Sequence, residues 1–573
     1  MTSSTSFIQT PKAPGKARKS GKGRFHARGR QVEPSARTVV EGLLDGRGLE
    51  RDQLIENLHI LQDKFGHLQK NHLAALADLM RLSLAEVYEV ATFYHNFSVV
   101  EDDAPAPPIT VKVCDSLSCC LAGSEALTSA LKEAASSGVK VTHGACMGRC
   151  DTAPVVRIGD TYIEHATVDQ TLTVLSGIEN EKLPLAATST TALPFDKYCK
   201  SGGFSHLKRL QENTELVPEF ISKLKDSGHR GLGGAGFPHA MKITSVRSVP
   251  GPRYMAVNAD ESEPGTFKDR YYMNSNPFQF LEGMLIGAEL VDAEEIFIFL
   301  RDEYPDTAAI LRDAITTIEK TGLNNGRKIS MRRGAGAYIC GEESAMLESL
   351  EGKRAIPRQK PPFPAHVGLF GKPTLINNIE TLYWLPEILE KGADWYKTGG
   401  RNGSTGFRTF SLSGHVNNPG VYLTPAGITA SELINEFGGG MKEGHQFKAY
   451  LPGGASGGIL PANMAHIPLD FGTLEKHGCF IGSAAVIVLS DQDDLKEVGR
   501  NLMRFFEDES CGQCTPCRSG TEKAVTIMNG DHWDLDLLQD LSDVMQDASI
   551  CGLGQAAPNG LLGLMKYFPE ELS

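Results

Sequence analysis

Twelve cysteines stand in this 573-residue chain, and eight fall into two groups whose spacing suits metal ligation. The first group is Cys114-x4-Cys119, followed by Cys146-x3-Cys150. Four thiolates from two loops are what a [2Fe–2S] cluster requires. A four-cysteine zinc site is the alternative, although zinc pairs favour C-x2-C spacing and neither gap has it. The second group is Cys511-Gly-Gln-Cys514-Thr-Pro-Cys517, with Cys551 far downstream. Three cysteines at C-x2-C-x2-C wrap one face of a cubane and a distant fourth closes it, which points to a [4Fe–4S] centre, with zinc again the alternative. A two-cluster ferredoxin would place its fourth cysteine a few residues on, before a proline; no such residue is present. Cys120, Cys199, Cys340 and Cys479 are left over, and a free cysteine is by default a small buried apolar residue. Because Cys120 adjoins Cys119, either could be the ligand at that place.

Other motifs surround a ligand rather than a metal. Arg230-Gly231-Leu-Gly233-Gly234-Ala-Gly236-Phe237-Pro238 satisfies G-x-G-x-x-G. The dinucleotide fingerprint also needs a strand before it. Residues 217–227 read as helix instead, so the loop is expected to be a phosphate-and-ring cradle of another design, whose backbone N–H groups can meet an anion. Asn258-Ala-Asp260-Glu261-Ser-Glu263 follows a strand at 254–257. An acidic loop at a strand's carboxyl end is a ligand site in α/β domains; a solvated turn is the alternative. Gly336-Ala-Tyr338-Ile-Cys-Gly341-Glu342-Glu343, Lys360-Pro-Pro-Phe363-Pro and Asn377-Asn378-Ile-Glu-Thr381 complete the set. The 60 glycines cluster at 228–236, 334–341, 438–440 and 453–458, where backbone can approach a ligand closely.

These residues need elements to position them. Residues 34–98 carry apolar side chains at helical spacing, with Ser83 and Glu86 as a capping box, and read as a small docking bundle. After a linker at 102–108 comes a strand at 109–113, a helix at 123–136, a strand at 139–142 and a hairpin of 155–158 with 161–163. Residues 183–194 read as a second linker. From 200 to about 400 strands (254–258, 295–300) and helices (306–320) alternate, which favours a layered α/β domain. Short strands at 407–413, 420–423, 449–451 and 484–488, with a helix at 430–436, form a small α+β domain. The last 80 residues return to helix.

Composition narrows the class. No apolar run approaches the ~18 residues of a membrane span, and the N-terminus lacks the apolar region of a secretory signal. Without export, clustered cysteines bind metal rather than form a disulfide framework, and a cytoplasmic location is expected. The net charge is −13. Residues 1–32 nevertheless contain eight Lys or Arg and no acid. This tail reads as a solvated arm resting on an acidic partner surface, in preference to a mitochondrial presequence or a nucleic-acid-binding segment.

The bundle followed by C-x4-C and C-x3-C resembles the thioredoxin-like [2Fe–2S] subunit of respiratory complex I, over about 34–182. Residues 200–573 closely resemble the NADH-oxidising flavoprotein subunit of complex I and its relatives in bacterial NAD-linked hydrogenases and formate dehydrogenases. The resemblance implies a multidomain α/β and α+β chain. Its parts would be a disordered basic tail (1–33), a helical bundle (34–104), a thioredoxin-like [2Fe–2S] domain (105–182), a linker (183–199), a Rossmann-like FMN/NAD(H) domain (200–405), a ubiquitin-like α+β domain (406–490) and a helical [4Fe–4S] domain (491–573). FMN would be held by Gly231, Gly233, Gly234, Gly236, Lys242, Asn258, Asp260, Glu261, Tyr338, Gly341, Glu342, Asn377, Asn378 and Thr381. NAD(H) would be held by Phe237, Glu263, Glu343, Lys360 and Phe363. The [2Fe–2S] ligands would be Cys114, Cys119, Cys146 and Cys150, and the [4Fe–4S] ligands Cys511, Cys514, Cys517 and Cys551. The complex I pattern has arginine where this chain has Leu232.

The implied function is that of a diaphorase, an NAD(H)-dependent flavin and iron–sulfur oxidoreductase. A nicotinamide moves two electrons as a hydride and a cluster accepts one, so a flavin must stand between them. The protein's task is then to hold the nicotinamide C4 within ~3–3.5 Å of flavin N5. No side-chain catalyst beyond the bound FMN is expected, and Glu263 and Glu343 read as binding groups. No molybdopterin-type or nickel-type pattern occurs, so the other half-reaction belongs to a partner polypeptide in a hetero-oligomer. The fusion, the length and Leu232 most resemble the β subunit of an NAD-dependent formate dehydrogenase with a molybdenum or tungsten α subunit. A hydrogenase diaphorase or a fused complex I subunit is the alternative. The [2Fe–2S] centre is either a side store or an exit wire.

Overall fold

A computed structural model describes residues 30–102, 109–136, 138–179 and 192–572. Most of the basic tail and most of both linkers lie outside the described residues.

Four α-helices, Pro34–Leu43, Leu54–Phe65, Lys70–Met80 and Leu84–Phe93, open the chain. Ser83 and Glu86 cap the last one reciprocally, as the sequence predicts. Two short parallel strands, β1 (Leu68–Gln69) and β2 (Val99–Val100), tie the bundle's end to its middle. The bundle does more than dock. His59 Nε2 donates to the Gly334 carbonyl at 2.8 Å, and the backbone N–H groups of His95 and Asn96 donate to Gly336 and Ala335 at 3.1 Å. It therefore braces the glycine turn that leads to Tyr338.

The next unit is a four-stranded sheet of β3 (Ile109–Cys114), β4 (Val139–Gly144), β5 (Val156–Ile158) and β6 (Thr161–Ile163), in the order β4-β3-β5-β6. β3 pairs parallel with β4 and antiparallel with β5. Helices Ser124–Ala134 and Val168–Glu179 accompany this sheet.

Four parallel strands carry the central domain: β7 (Arg253–Ala259), β8 (Ala293–Leu300), β9 (Lys328–Arg333) and β10 (Thr374–Asn378), in the order β10-β7-β8-β9. β7 and β8 are the apolar strands that periodicity finds. β9 and β10 escape it; on β9 this is because its arginines are satisfied by tertiary contacts. Arg332 on β9 pairs with Asp52 at 2.6 Å, and Arg333 with Asp63 at 2.6 Å, both acids in the N-terminal bundle. Helix Pro277–Val291 is buried at all fifteen positions, so its apolar residues show no amphipathic stripe. Residues 217–227 are helical, as expected.

A mixed five-stranded sheet follows: β11 (Phe407–Gly414), β12 (Gly420–Pro425), β13 (Phe447–Leu451), β14 (Leu460–Pro461) and β15 (Ala485–Ser490), in the order β12-β11-β15-β13-β14. The helix expected at 430–436 is a short α-helix, Ala430–Glu432, that widens into a π-helix over Leu433–Phe437. The chain then runs through helices Leu495–Asp508, Thr515–Met528, Leu535–Ala548, Gly552–Ala556 and Asn559–Tyr567. No helix among the described residues is long and apolar enough to cross a membrane.

Candidate functional site: a nucleotide cavity between two thiol clusters

Parallel strands present their loops at one edge, and ligands bind beyond the strands' carboxyl ends. Here Asn258–Arg270 follows β7, Arg301–Glu303 follows β8, Gly334–Glu343 follows β9, and Asn377–Asn378 ends β10. The loop at 230–238 closes over this edge. Gly231 N–H donates to the Phe237 carbonyl at 2.9 Å, and Arg230 reaches the Gly236 carbonyl at 3.2 Å. Glycine is required at 236: φ is +63°, and a Cβ there would lie 2.6 Å from the Phe471 ring. At Gly233 a Cβ would come 3.0 Å from Asn378.

Between these loops lie two cavities of about 570 and 250 Å³. Gly231, Gly233, Gly234, Gly236, Phe237, Lys242, Asn258, Gly341, Glu342, Glu343, Lys360, Phe363, Asn377, Asn378 and Thr381 line the larger. Asp260, Glu261, Glu263 and Tyr338 line the smaller, with Gly233, Gly234, Asn258, Gly341, Glu342 and Asn378 shared. Every residue that the sequence assigns to flavin or nucleotide is thus brought to one place.

The charges are laid out unevenly. Lys360 Nζ lies 2.9 Å from both Glu342 and Glu343, and Lys242 Nζ 3.6 Å from Glu343. Burial raises the Glu343 carboxyl, but Lys242 and Lys360 together outweigh it and hold it below the usual carboxylate range. Glu342 also caps helix Glu343–Leu350, accepting from Ser344 and Ala345 N–H at 2.9 and 2.8 Å. The deeper acids go the other way. Burial pushes Asp260 up to about 8, and burial with Asp269 nearby pushes Glu261 up to about 7. Glu261 accepts from Asp269 and Arg270 N–H at 2.7 and 3.0 Å and from Tyr304 OH at 3.0 Å, so it shapes the loop as well as lining it. Glu263 is raised by burial; it accepts from Tyr338 OH and, at 2.7 Å, from Ser456 N–H.

Several residues that line the cavities belong to no ligand motif of the sequence. Ser456, Phe480, Gly482 and Ser483 reach the smaller cavity from the following domain; the glycine cluster at 453–458 signals Ser456, and the other three carry no signal in the sequence. His239 lines the larger cavity. Leu232 turns its side chain into the domain core, and its N–H donates to Thr381 Oγ1 at 2.8 Å. The position where the complex I pattern has arginine therefore offers the cavity no cation.

The thiols gather as their spacing predicts. Cys114, Cys119, Cys146 and Cys150 are all at most 4% exposed. Cys114 is within hydrogen-bonding reach of Cys119 and Cys146. The Cys146 and Cys150 sulfurs are 3.5 Å apart, close to the ~3.7 Å that ~2.3 Å bonds to one tetrahedral metal would give. Cys120 turns away, donating to the Asp115 carbonyl at 3.0 Å and meeting Asn501 Nδ2 at 3.4 Å. Cys120 and Cys199 are half-buried, whereas Cys340 and Cys479 are buried packing residues. The expectation of four buried packing cysteines is thus corrected at Cys120 and Cys199: the first ties a loop to helix Leu495–Asp508, and the second is partly open to solvent.

In the C-terminal bundle, Cys517 in the first turn of helix Thr515–Met528 faces Cys514, Cys551 and Cys511. Burial raises Cys517 and Cys551 to about 11, so these thiols stay protonated until a metal takes the proton's place. Gly554 permits the close approach, since a Cβ there would lie 2.8 Å from that of Cys517. Gly552 and Leu553, next to Cys551, line the smaller cavity. Among the described residues no three His, Cys, Asp or Glu side chains are placed to hold a single ion; the thiol sets fit clusters, whose several irons spread their ligands.

Residues 40–179 match the thioredoxin-like [2Fe-2S] ferredoxin family and residues 224–387 the Nuo51 FMN-binding domain. Residues 409–460 match the SLBB domain and residues 497–573 the NADH-ubiquinone oxidoreductase-F iron-sulfur binding region. The chain is 41% identical over 390 residues to the F 2 subunit of NADH-quinone oxidoreductase from Rhizobium meliloti (strain 1021), covering 65% of this chain and 92% of the relative. Against the F subunit of the same enzyme from Streptomyces coelicolor (strain ATCC BAA-471 / A3(2) / M145) it is 38% identical over 392 residues, covering 66% and 86%. A chain of the NAD+-reducing [NiFe]-hydrogenase in its H2-reduced state superposes with a TM-score of 0.80 at 30% identity, over 91% of this chain and 92% of that one. The glycine-lined cavity and two thiol sets fit FMN, NADH, one [2Fe–2S] and one [4Fe–4S] cluster. The chain therefore belongs to the family of NADH-quinone oxidoreductase F subunits, as an NADH-dependent flavin and iron–sulfur oxidoreductase component joined in one polypeptide to a thioredoxin-like [2Fe–2S] ferredoxin.

Proposed function

We propose that the chain is the β, or diaphorase, subunit of a cytoplasmic NAD-dependent formate dehydrogenase, exchanging electrons between NAD(H) and a molybdenum or tungsten α subunit. The observation that carries the diaphorase role is the pair of adjoining cavities that all nineteen residues assigned to flavin and nucleotide line, close to Cys551. The formate assignment rests on sequence resemblance in fusion, length and Leu232. A hydrogenase partner is the second reading, favoured by the match of 91% of this chain to a chain of an NAD+-reducing [NiFe]-hydrogenase.

Bound FMN would accept a hydride as two electrons and release them singly, which no side chain can do. The chain's own residues would bind and orient. Gly233, Gly234 and Gly236 would bring backbone N–H groups to the phosphate, with Lys242 beside them, while Gly231 closes the loop through its bond to the Phe237 carbonyl. Asn258, Asp260, Glu261, Tyr338, Gly341, Glu342, Asn377, Asn378 and Thr381 would also line the flavin. Phe237 and Phe363, 47% and 53% exposed, offer stacking faces at the mouth, and Glu263, Glu343 and Lys360 hold the nucleotide's polar groups. Cys114, Cys119, Cys146 and Cys150 would hold the [2Fe–2S] cluster, and Cys511, Cys514, Cys517 and Cys551 the [4Fe–4S] cluster. The domain limits given above from sequence are part of this proposal.

The flavin-loaded chain should reduce ferricyanide or viologen dyes with NADH and contain about six irons. Failure of dye reduction would refute the diaphorase role, and about four irons would refute the two-cluster assignment. Metal analysis of the complex purified with its partners decides the rest: molybdenum or tungsten supports formate, whereas nickel, or iron alone, supports hydrogen.

A further inference from the structure

Beside the flavin cavity lies a second, polar cavity of about 490 Å³. His95 and His143 line it, and their side chains are 51% and 53% exposed, so it reaches the surface there. Its other walls include Lys112, Arg157, Arg504, Asp508 and Cys146 and, on the flavin side, Asp260, Ser262 and Tyr338. The same three residues form part of the wall of the smaller flavin cavity. Of the two acidic groups in that shared wall, the Tyr338 phenol is already committed to Glu263. Asp260 keeps a free oxygen, since Ser262 Oγ donates only to Oδ2, at 3.2 Å.

The chemistry of the proposed reaction needs such a wall, and the inference rests on that reading. When two oxidised clusters each take one electron from NADH, the balance is NADH plus two oxidised clusters giving NAD+, one proton and two reduced clusters. The electrons leave through the protein, but the proton must reach water by a chain of carriers. A nucleotide seated between Phe237 and Phe363 would stand over the larger cavity's mouth and hinder that exit. We propose that Asp260 takes up this proton at the flavin cavity and passes it to water in the polar cavity, which conducts it to the surface at His95 and His143; NAD+ reduction runs the same route inward.

Asp260 is suited to the task because burial brings its carboxyl to about 8, so both forms are populated near neutral pH. Arg301 from the end of β8 opposes that rise, while Glu303 and Glu509 reinforce it. Asp115, His143, Arg157, Lys112 and Lys140 line the cavity from the thioredoxin-like unit, and Arg504 and Asp508 line it from the C-terminal bundle. The hydride step itself needs no base. The carrier acts at electron exit, in addition to lining the flavin cavity.

The test uses the holoprotein with Asp260→Asn, its FMN and iron verified, mixed rapidly with NADH. The rate of cluster reduction relative to flavin bleaching, and proton release to an indicator dye, should both fall by ~10²-fold. The redox-difference infrared spectrum should lose a protonated-carboxyl band that the wild type shows. Unchanged cluster reduction together with an unchanged band overturns the proposal. Should Asp260→Asn lose its flavin, Thr142→Trp decides the matter. It fills the polar cavity from β4 without lining the flavin cavity, so slow electron exit with the band retained supports the route and a wild-type rate overturns it. Absence of bleaching in the wild type would instead refute the NAD(H) reading itself.

Discussion

Lys360 is held between the carboxylates of Glu342 and Glu343. A charged hydrogen bond of this kind is worth about 1.5–3 kcal/mol. Lys360→Met should therefore raise the KM for NADH by roughly 10- to 100-fold with kcat for dye reduction little changed. An unaltered KM in steady-state assays would remove Lys360 from the nucleotide site. Asp260 gives a pH signature. Its folded carboxyl lies above its unfolded value of 3.8, at about 8. The neutral form is then favoured in the folded state, and stability falls as pH rises from the unfolded value through the folded one. In flavin-free protein, Asp260→Asn should raise the melting temperature at pH 8 and much less at pH 5. Equal gains at both would show that the carboxyl titrates normally.

Helix Pro277–Val291 shows how tightly the elements behind the site are packed. Gly283 faces helix Ile379–Tyr383 so closely that a Cβ would lie 1.9 Å from the Leu382 carbonyl oxygen. Glu282, beside it, accepts from Tyr198 OH at 2.5 Å and Phe204 N–H at 2.8 Å. Gly283→Ala must push apart two elements, one of which carries Thr381 into the cavity. Overpacking of this kind costs about 1–3 kcal/mol. Calorimetry should show a lower melting temperature, and retained flavin should fall with it. A variant as stable as the wild type would mean that the two helices can separate freely. The 258–270 loop is the other critical element. Glu261 fixes its far end, and Lys268, buried between Asp269 at 2.9 Å and Glu380 at 2.8 Å, anchors it to the helix after β10.

Across the molecule, Arg301 joins the flavin loop to the first thiol set. Its guanidinium donates to the Glu261 carbonyl and, at 2.5 Å, to the Cys146 carbonyl, and pairs with Glu303 at 3.1 Å. Removing one partner of a buried pair costs about 3–5 kcal/mol. Arg301→Met should lower the melting temperature by several degrees and alter the electron paramagnetic resonance signal of the reduced [2Fe–2S] cluster, leaving that of the [4Fe–4S] cluster unchanged. An unperturbed [2Fe–2S] signal would show that Arg301 does not couple the two units. At the other end of the chain, Asn559 Nδ2 donates to the Ser456 carbonyl at 3.0 Å, binding the terminal bundle to the glycine turn whose Ser456 N–H holds Glu263.

Much of this was legible in the sequence, because ligand chemistry imposes local spacing. The cysteine intervals, the glycine loop, the acidic loop and the Glu342–Glu343 pair are contiguous motifs, and β7, β8 and the 83–86 cap follow from apolar period and capping rules. What spacing could not reach was anything satisfied from a distance. The arginines of β9 look too polar for a sheet until Asp52 and Asp63 from the N-terminal bundle meet them. Helix Pro277–Val291 has no stripe because every side of it is covered. Cys119 and Cys120 are equivalent by type and differ only in where each sulfur points. The residue types proposed to bind the cofactors were thus written into the sequence. The tertiary structure alone decided which of Cys119 and Cys120 joins the other thiols, which distant serine holds Glu263, and that a polar cavity meets the flavin cavity at Asp260, because each depends on surfaces brought together from separate parts of the chain.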